Sequence, residues 1–360
     1  MVEHCKNPSR RLVHLDLLRL LAIYFVVFNH TGDRGYMLFA DRMDSPLFFL
    51  YLLTSVLCKV AVPLFFMISG ALLLSKQEPI GKLLSKRILR MAVVLVLVSI
   101  PYYVWLHKDQ GLGIFDFLTY IYGNSASTSL WYLYSYIALL LMMPFLRSMV
   151  KGMKRADFRY LIAGYLVMVG VIPCVEHCLW GGDKTMHLSF TPALFLTQNL
   201  FYALAGYYVE HRVDLRNCNR TLMWLGGLLN VIGLAVTLVL THRLLLSGEK
   251  DPAQLEQFFN CFICIPAICL YMLVKHFGSR VKSLRMQKVI STLGAAVFGV
   301  YLIEKFSRAL TGIVYELLAP LIGSFAASLI WCLAVVLLSL LIVVPAKHIP
   351  GLRKVVNRFI

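Results

Sequence analysis

Apolar residues run in ten stretches, near 12–30, 47–75, 88–106, 130–149, 160–176, 190–210, 221–246, 257–276, 288–310 and 321–346. Each approaches the roughly 20 residues that a helix needs to cross hydrocarbon. The pattern predicts an all-α, polytopic membrane helix bundle of about ten transmembrane helices. No long Gly/Ser or Pro-rich linker, low-complexity tract or soluble appendage interrupts it, so residues 1–360 read as a single membrane domain. The first run carries Asp16, Arg19 and His30 and is too polar for a cleavable signal segment. No small-residue cleavage site follows His30, so this run is expected to remain in the mature protein.

Orientation follows from the cations, because positive loops stay cytoplasmic. Of the 35 lysines and arginines, 25 fall on one side: Lys6, Arg10 and Arg11; Lys76, Lys82, Lys86, Arg87 and Arg90; and the clusters around 147–159, 212–220, 275–288 and 347–358. Only six, Arg34, Arg42, Lys108, Lys184, Arg243 and Lys250, fall in the opposite loops. Both termini are therefore expected in the cytoplasm, with His30 toward the outside.

Composition agrees: 59% of residues are hydrophobic, 15% are charged, and mean hydropathy is +0.74. Ordinary soluble domains carry about 25% charged residues. The net charge of +17 sits in short loops beside anionic lipid, which argues for lipid and against nucleic acid as the partner. The nine cysteines are scattered through apolar runs, where Cys acts as a small hydrophobe. Cys261 and Cys264 form a CxxC inside such a run and read as packing. Cys174 and Cys178 flank Glu176 and His177, leaving a disulfide or metal site as a lesser alternative; no metal is expected. The segment 111–124, with Phe115, Phe117, Tyr120 and Tyr122, reads either as an interfacial piece or as a plain surface loop.

Ionisable groups inside a bilayer are expensive and mark candidate functional sites. Arg19 and His30 stand eleven residues apart, close to three turns, and so share a helix face about 16 Å apart. Arg19 either pairs with Asp16 and snorkels, or faces a cavity and binds an anion with its permanently charged fork. His30 is either an interfacial residue or a general base able to take a proton from a hydroxyl. Asp33 follows at i+3 and either orients His30 or sits in water. Arg87 and Arg90 place two guanidinium forks on one face. In the ninth helix Tyr301, Glu304, Lys305 and Arg308 cluster, and Glu304 and Arg308 either satisfy one another or serve a site. Lys59, within the second run, is a weaker case.

Six segments in order carry a family resemblance: "LDLLRLLAIYFVVFNHTG" with its Arg-x10-His spacing, "VPLFFMISGALLL", "KRILR", "LWYLYSYIALLLMMPFL", "FYALAGYYV" and "FGVYLIEKF". Together they resemble the acyltransferase-3 family of bacterial integral membrane proteins over nearly the whole chain. The resemblance implies transfer of an acyl group, usually acetyl, from cytoplasmic acyl-CoA to a hydroxyl of a cell-envelope carbohydrate, in a multi-pass protein of the bacterial cytoplasmic membrane. It implies a catalytic role for His30, and donor binding by Arg19, Arg87 and Arg90. One departure stands out, since many relatives carry His where this chain has Glu304.

These residues suggest a single displacement in which His30 deprotonates the acceptor hydroxyl and the alkoxide attacks the thioester. Asp33 and Glu304 are candidates to support that base. Asn29, Ser69, Trp131 and Tyr301 are candidates for substrate contacts or oxyanion donors. A membrane transporter of a small polar solute such as an amino acid is the alternative, because charges at mid-membrane also mark transport paths. That reading predicts an inverted repeat or paired broken helices, and only Gly226-Gly227 and Pro266 interrupt two runs. An accessory protein that presents a glycan is a third possibility. Acceptor identity, acyl length and oligomeric state are not legible in the residues.

Overall fold

The structure, a computed structural model, describes residues 12–107, 113–123, 127–190, 192, 195, 197–215 and 220–347. Each of the ten apolar runs contains a helix: α1 Val13–Asn29, α2 Phe48–Leu73 and α3 Ile80–Trp105, α4 Trp131–Gly152, α5 Arg155–Trp180, α6 Gln198–His211, α7 Arg220–Leu246, α8 Cys264–Gly278, α9 Leu284–Leu310 and α10 Ser324–Ala346. No strand occurs among the described residues, and the fold is a helical membrane bundle. Among the described residues, seven helices are long and apolar enough to cross a membrane. The other three, α1, α6 and α8, have 17, 14 and 15 residues. The count of ten spans is thus an expectation that the helix lengths meet for seven.

Polarity sorts the helices between centre and rim. α1 carries ionisable groups that lipid would penalise, and it is enclosed: Leu15, Leu18, Ala22, Ile23 and Val27 are buried along its length. α6 is buried through Leu200–Ala205. By contrast α7 leaves Met223, Trp224, Leu228, Val231 and Ile232 exposed, as suits a helix whose outer face is apolar and meets acyl chains.

Close approach of α2 and α6 fixes the middle of the bundle. A Cβ on Gly70 would lie 1.8 Å from the Ala203 carbonyl oxygen, and one on Gly206 would lie 2.0 Å from that of Met67. Lipid tails supply no hydrophobic drive between helices, so intimate backbone packing through small residues holds them together.

α2 is broken at Lys59–Val60, between Phe48–Cys58 and Ala61–Leu73. Pro63 has no N–H to give the carbonyl of Lys59 four residues earlier, so the helical ladder lapses there. α3 passes after its first turn through a π-helical turn over Leu84–Ile88, which contains Arg87 and ends two residues before Arg90. Such turns occur often at functional sites.

Ile114–Gly123 is a helix with Phe115 and Tyr122 exposed, while 111, 112 and 124 lie outside the described residues. Cys261 and Cys264 are buried; Cys174 and Cys178 are both free thiols, the first buried and the second exposed. Lys6, Arg10, Arg11, Lys108 and the C-terminal cations beyond 347 also lie outside the described residues.

Candidate active site

A single cavity of about 1250 Å³ runs between the helices and is lined by Arg19, Arg87 and Arg90 at the basic end and by Asn29 and His30 further along. It exceeds the roughly 300–1,000 Å³ of ordinary small-molecule pockets. Ser69, Trp131 and Tyr301 also line it. Asp33 does not: it is exposed on the turn Gly32–Arg34 that follows α1.

His30 caps α1, its N–H shared between the carbonyls of Val26 and Val27 at 3.2 and 3.1 Å. Its Nδ1 lies 2.9 Å from Glu304 Oε1, with the ring turned off the ideal hydrogen-bond direction. Glu304 is fully buried in α9. Arg308 contacts both members: its Nε is 3.5 Å from Glu304 Oε2, and its Nη1 donates to the His30 carbonyl. An ionised carboxylate accepts only, so with Glu304 in that form the contact favours the imidazole proton on Nδ1 and leaves Nε2 to act as the base. Sequence spacing offers Asp33 as the partner; the fold supplies Glu304, 274 positions away in the chain.

The substrate candidates are held in different ways. Asn29 Nδ2 donates to the Cys58 carbonyl at 3.0 Å, and its Oδ1 is buried without a partner. Ser69 donates to the Phe65 carbonyl at 2.8 Å, within its own helix. Tyr301 donates to the Ser129 carbonyl at 2.6 Å. Trp131 stands half-exposed at the start of α4.

The basic end is short of counter-charge. Arg19 is paired with the fully buried Asp16, as its i+3 spacing allows, and still borders the cavity. Arg87 Nε donates to Glu78 Oε2 at 2.8 Å, and Arg147 Nη2 reaches the same oxygen at 3.3 Å. Arg147 also donates to the Leu73 and Glu78 carbonyls at 3.0 and 3.3 Å, pinning the 74–79 connection. Arg90 Nε is buried with no partner. Lys76, Lys82 and Lys86 also line the cavity, whose lining carboxylates are Glu78 and Glu256.

The fields of these groups are visible in the titration of the connection. The Arg87 hydrogen bond holds the Glu78 carboxyl below the ordinary glutamate range. Burial pushes the Lys76 ammonium below the ordinary lysine range, Arg87 beside it acting in the same direction. An anion entering here meets donors whose charge is not yet answered.

Glu78 and Arg147 escape a reading by motif, because each is interpretable only once α2, α3 and α4 are brought together. Among the described residues, no group of three His, Cys, Asp or Glu side chains is placed to hold a metal ion.

The profile of the acyltransferase-domain family matches residues 12–346, and the chain belongs to this acyltransferase-3 family. It is accordingly a multi-pass membrane enzyme that transfers an acyl group other than an amino-acyl group. No curated protein and no solved structure matches the chain.

Proposed function

We propose that the protein is an O-acyltransferase that takes an acyl group, acetyl by the family's habit, from cytoplasmic acyl-CoA and transfers it to a hydroxyl of a cell-envelope carbohydrate. In this reading the membrane is the bacterial cytoplasmic membrane. The observation that carries the reading is the continuity of one cavity from a cation cluster to a histidine backed by a buried carboxylate.

Coenzyme A suits that shape. Its nucleotide end is polyanionic and fits beside Arg90, Lys82 and Lys86, while its thin neutral arm rises along α1 toward His30. His30 Nε2 removes the proton of the acceptor hydroxyl as the oxygen attacks the thioester carbonyl. The carbonyl–sulfur bond then breaks, and the thiolate of coenzyme A leaves toward the basic end. Charge developing on imidazole is stabilised by Glu304. Transfer is direct, and the proton released by the alcohol ends on His30 before returning to the thiolate or to water.

Two measurements address this reading. Mass spectrometry of envelope glycans from cells with and without the protein is expected to show one acyl increment, of about 42 Da for acetyl, lost in its absence. Identical glycan spectra would remove the carbohydrate acceptor. Arg90→Ala is expected to weaken acetyl-CoA binding by about 10- to 100-fold, as befits loss of one charge-assisted hydrogen bond of roughly 1.5–3 kcal/mol, leaving acceptor KM nearly unchanged. Titration calorimetry of the purified variant reads this directly, and an unchanged donor Kd would take Arg90 out of the donor site. Arg19→Ala should act in the same direction.

A further inference from the structure

Beyond His30 the cavity continues to a second polar group: Lys59, Glu256, Asn260 and Tyr36 line it together with Asn29. Lys59 Nζ lies 2.6 Å from Glu256 Oε2 and 5.0 Å from the centre of the Tyr36 ring. Lys59 is displayed at the break in α2. Glu256 comes from the connection between α7 and α8, far away in sequence. Neither side chain is fully enclosed, at 23% and 26% exposure, so both can meet a ligand.

The position of this group relative to the base is fixed by the backbone. Asn29, which precedes His30, donates to the carbonyl of Cys58, which precedes Lys59. One hydrogen bond therefore ties the chain carrying the imidazole to the chain carrying the ammonium. Whatever is held by Lys59 and Glu256 is held in the same cavity as His30, beside the stretch of chain that carries it.

From this juxtaposition we infer that the Lys59–Glu256 pair, with Asn260 and Tyr36, is the acceptor-recognition element and selects an uncharged, hydroxyl-rich ligand. The inference rests on the acyl-transfer reading above and names the class of acceptor within it.

Charge decides the class. At the basic end Lys76, Lys82, Lys86 and Arg90 face one carboxylate, whereas here one cation meets one anion and the local sum is zero. A neutral polyol can replace the pair's mutual contact evenly, because the carboxylate accepts from hydroxyls while the ammonium donates to them. An acceptor bearing a carboxylate would claim Lys59 and leave Glu256 unpaired in a poorly solvated site, a heavy penalty for a buried charge. Asn260 and the partnerless Asn29 Oδ1 add hydrogen-bonding capacity of both kinds. Tyr36, its ring beneath the Lys59 ammonium, holds that cation in place and brings a buried hydroxyl without a partner.

The test uses the full-length protein in phosphatidylethanolamine–phosphatidylglycerol vesicles with labelled acetyl-CoA. The acceptor probes are a neutral N-acetylhexosamine oligosaccharide and its hexuronate-containing counterpart. Wild type is expected to acetylate the neutral probe at least tenfold more efficiently than the uronate probe. Glu256→Gln and Lys59→Met are each expected to raise the neutral-acceptor KM at least tenfold while leaving acetyl-CoA Kd within twofold. Retained donor binding and melting temperature exclude misfolding, and the exchanged pair Lys59→Glu/Glu256→Lys should recover part of the lost affinity. Unmoved acceptor KM in both single variants, or a preference for the uronate probe, overturns the inference while leaving acyl transfer intact. Wild-type protein that binds acetyl-CoA but acetylates neither probe overturns both the inference and the reading beneath it.

Discussion

His30→Ala is expected to lower kcat by about 10²–10⁴-fold, the usual range for losing a general base, with acetyl-CoA affinity close to wild type. The separation arises from position. In the proposed reading the donor's charges sit at the end of the cavity that Arg19 and Arg90 line, whereas the imidazole follows Arg19 about 16 Å further along α1, where the reacting carbonyl and hydroxyl would meet. Glu304 acts through His30, so Glu304→Gln should cost less: it preserves the shape of the contact and removes the charge that favours imidazolium. Rates of acetyl transfer by purified variants, with melting temperatures as control, measure both. A His30→Ala protein that turns over within tenfold of wild type has its base elsewhere. Asp33→Asn serves as the comparison, since Asp33 is exposed outside the cavity and its loss should leave kcat little changed.

The second large effect concerns the scaffold. Gly70→Val and Gly206→Val are each expected to abolish the folded protein, and alanine at either position to destabilise it severely. A Cβ at these positions falls on backbone carbonyl oxygens 1.8 and 2.0 Å away, and backbone atoms of two packed helices cannot rotate aside as a side chain can. Overpacking a well-packed core ordinarily costs about 1–3 kcal/mol; here relief requires α2 and α6 to separate along their crossing. Yield of monodisperse protein in detergent and its melting temperature read the result. Wild-type stability in Gly70→Ala would mean that the two helices do not approach this closely. Gly226→Ala and Gly227→Ala, with open space around each added Cβ, should be well tolerated.

Hydropathy makes the bundle legible because a helix in lipid must satisfy its own backbone and cover itself with apolar side chains. All ten apolar runs contain helices for that reason. Span number is less legible, since α1 and α6 are short helices largely enclosed by their neighbours and α8, though it exposes Leu273 and Phe277, has only 15 residues. His30 and Arg19 are conspicuous because charge at membrane depth is penalised unless used or paired. Glu304 is visible for the same reason, yet its partner is not, because nothing along the chain relates position 304 to position 30. Local spacing favours Asp33, and tertiary packing places Asp33 in the open. Lys59 shows how a weak signal is underweighted: a lone lysine in an apolar run looks like an interfacial accident until Pro63, four residues on, explains why the helix breaks there and presents it. Glu256 carries no signal at all, lying in a polar connection where a carboxylate is unremarkable.

The hydrogen bond from Asn29 to the Cys58 carbonyl has a bearing on how such an enzyme can change. Any substitution that shifts the bend of α2 to admit a bulkier acceptor drags the end of the first helix with it through that bond. Breadth of choice and speed are mechanically yoked, and a variant that widens one should be sought among side chains of the 247–263 connection, which can be rebuilt without disturbing the end of the first helix.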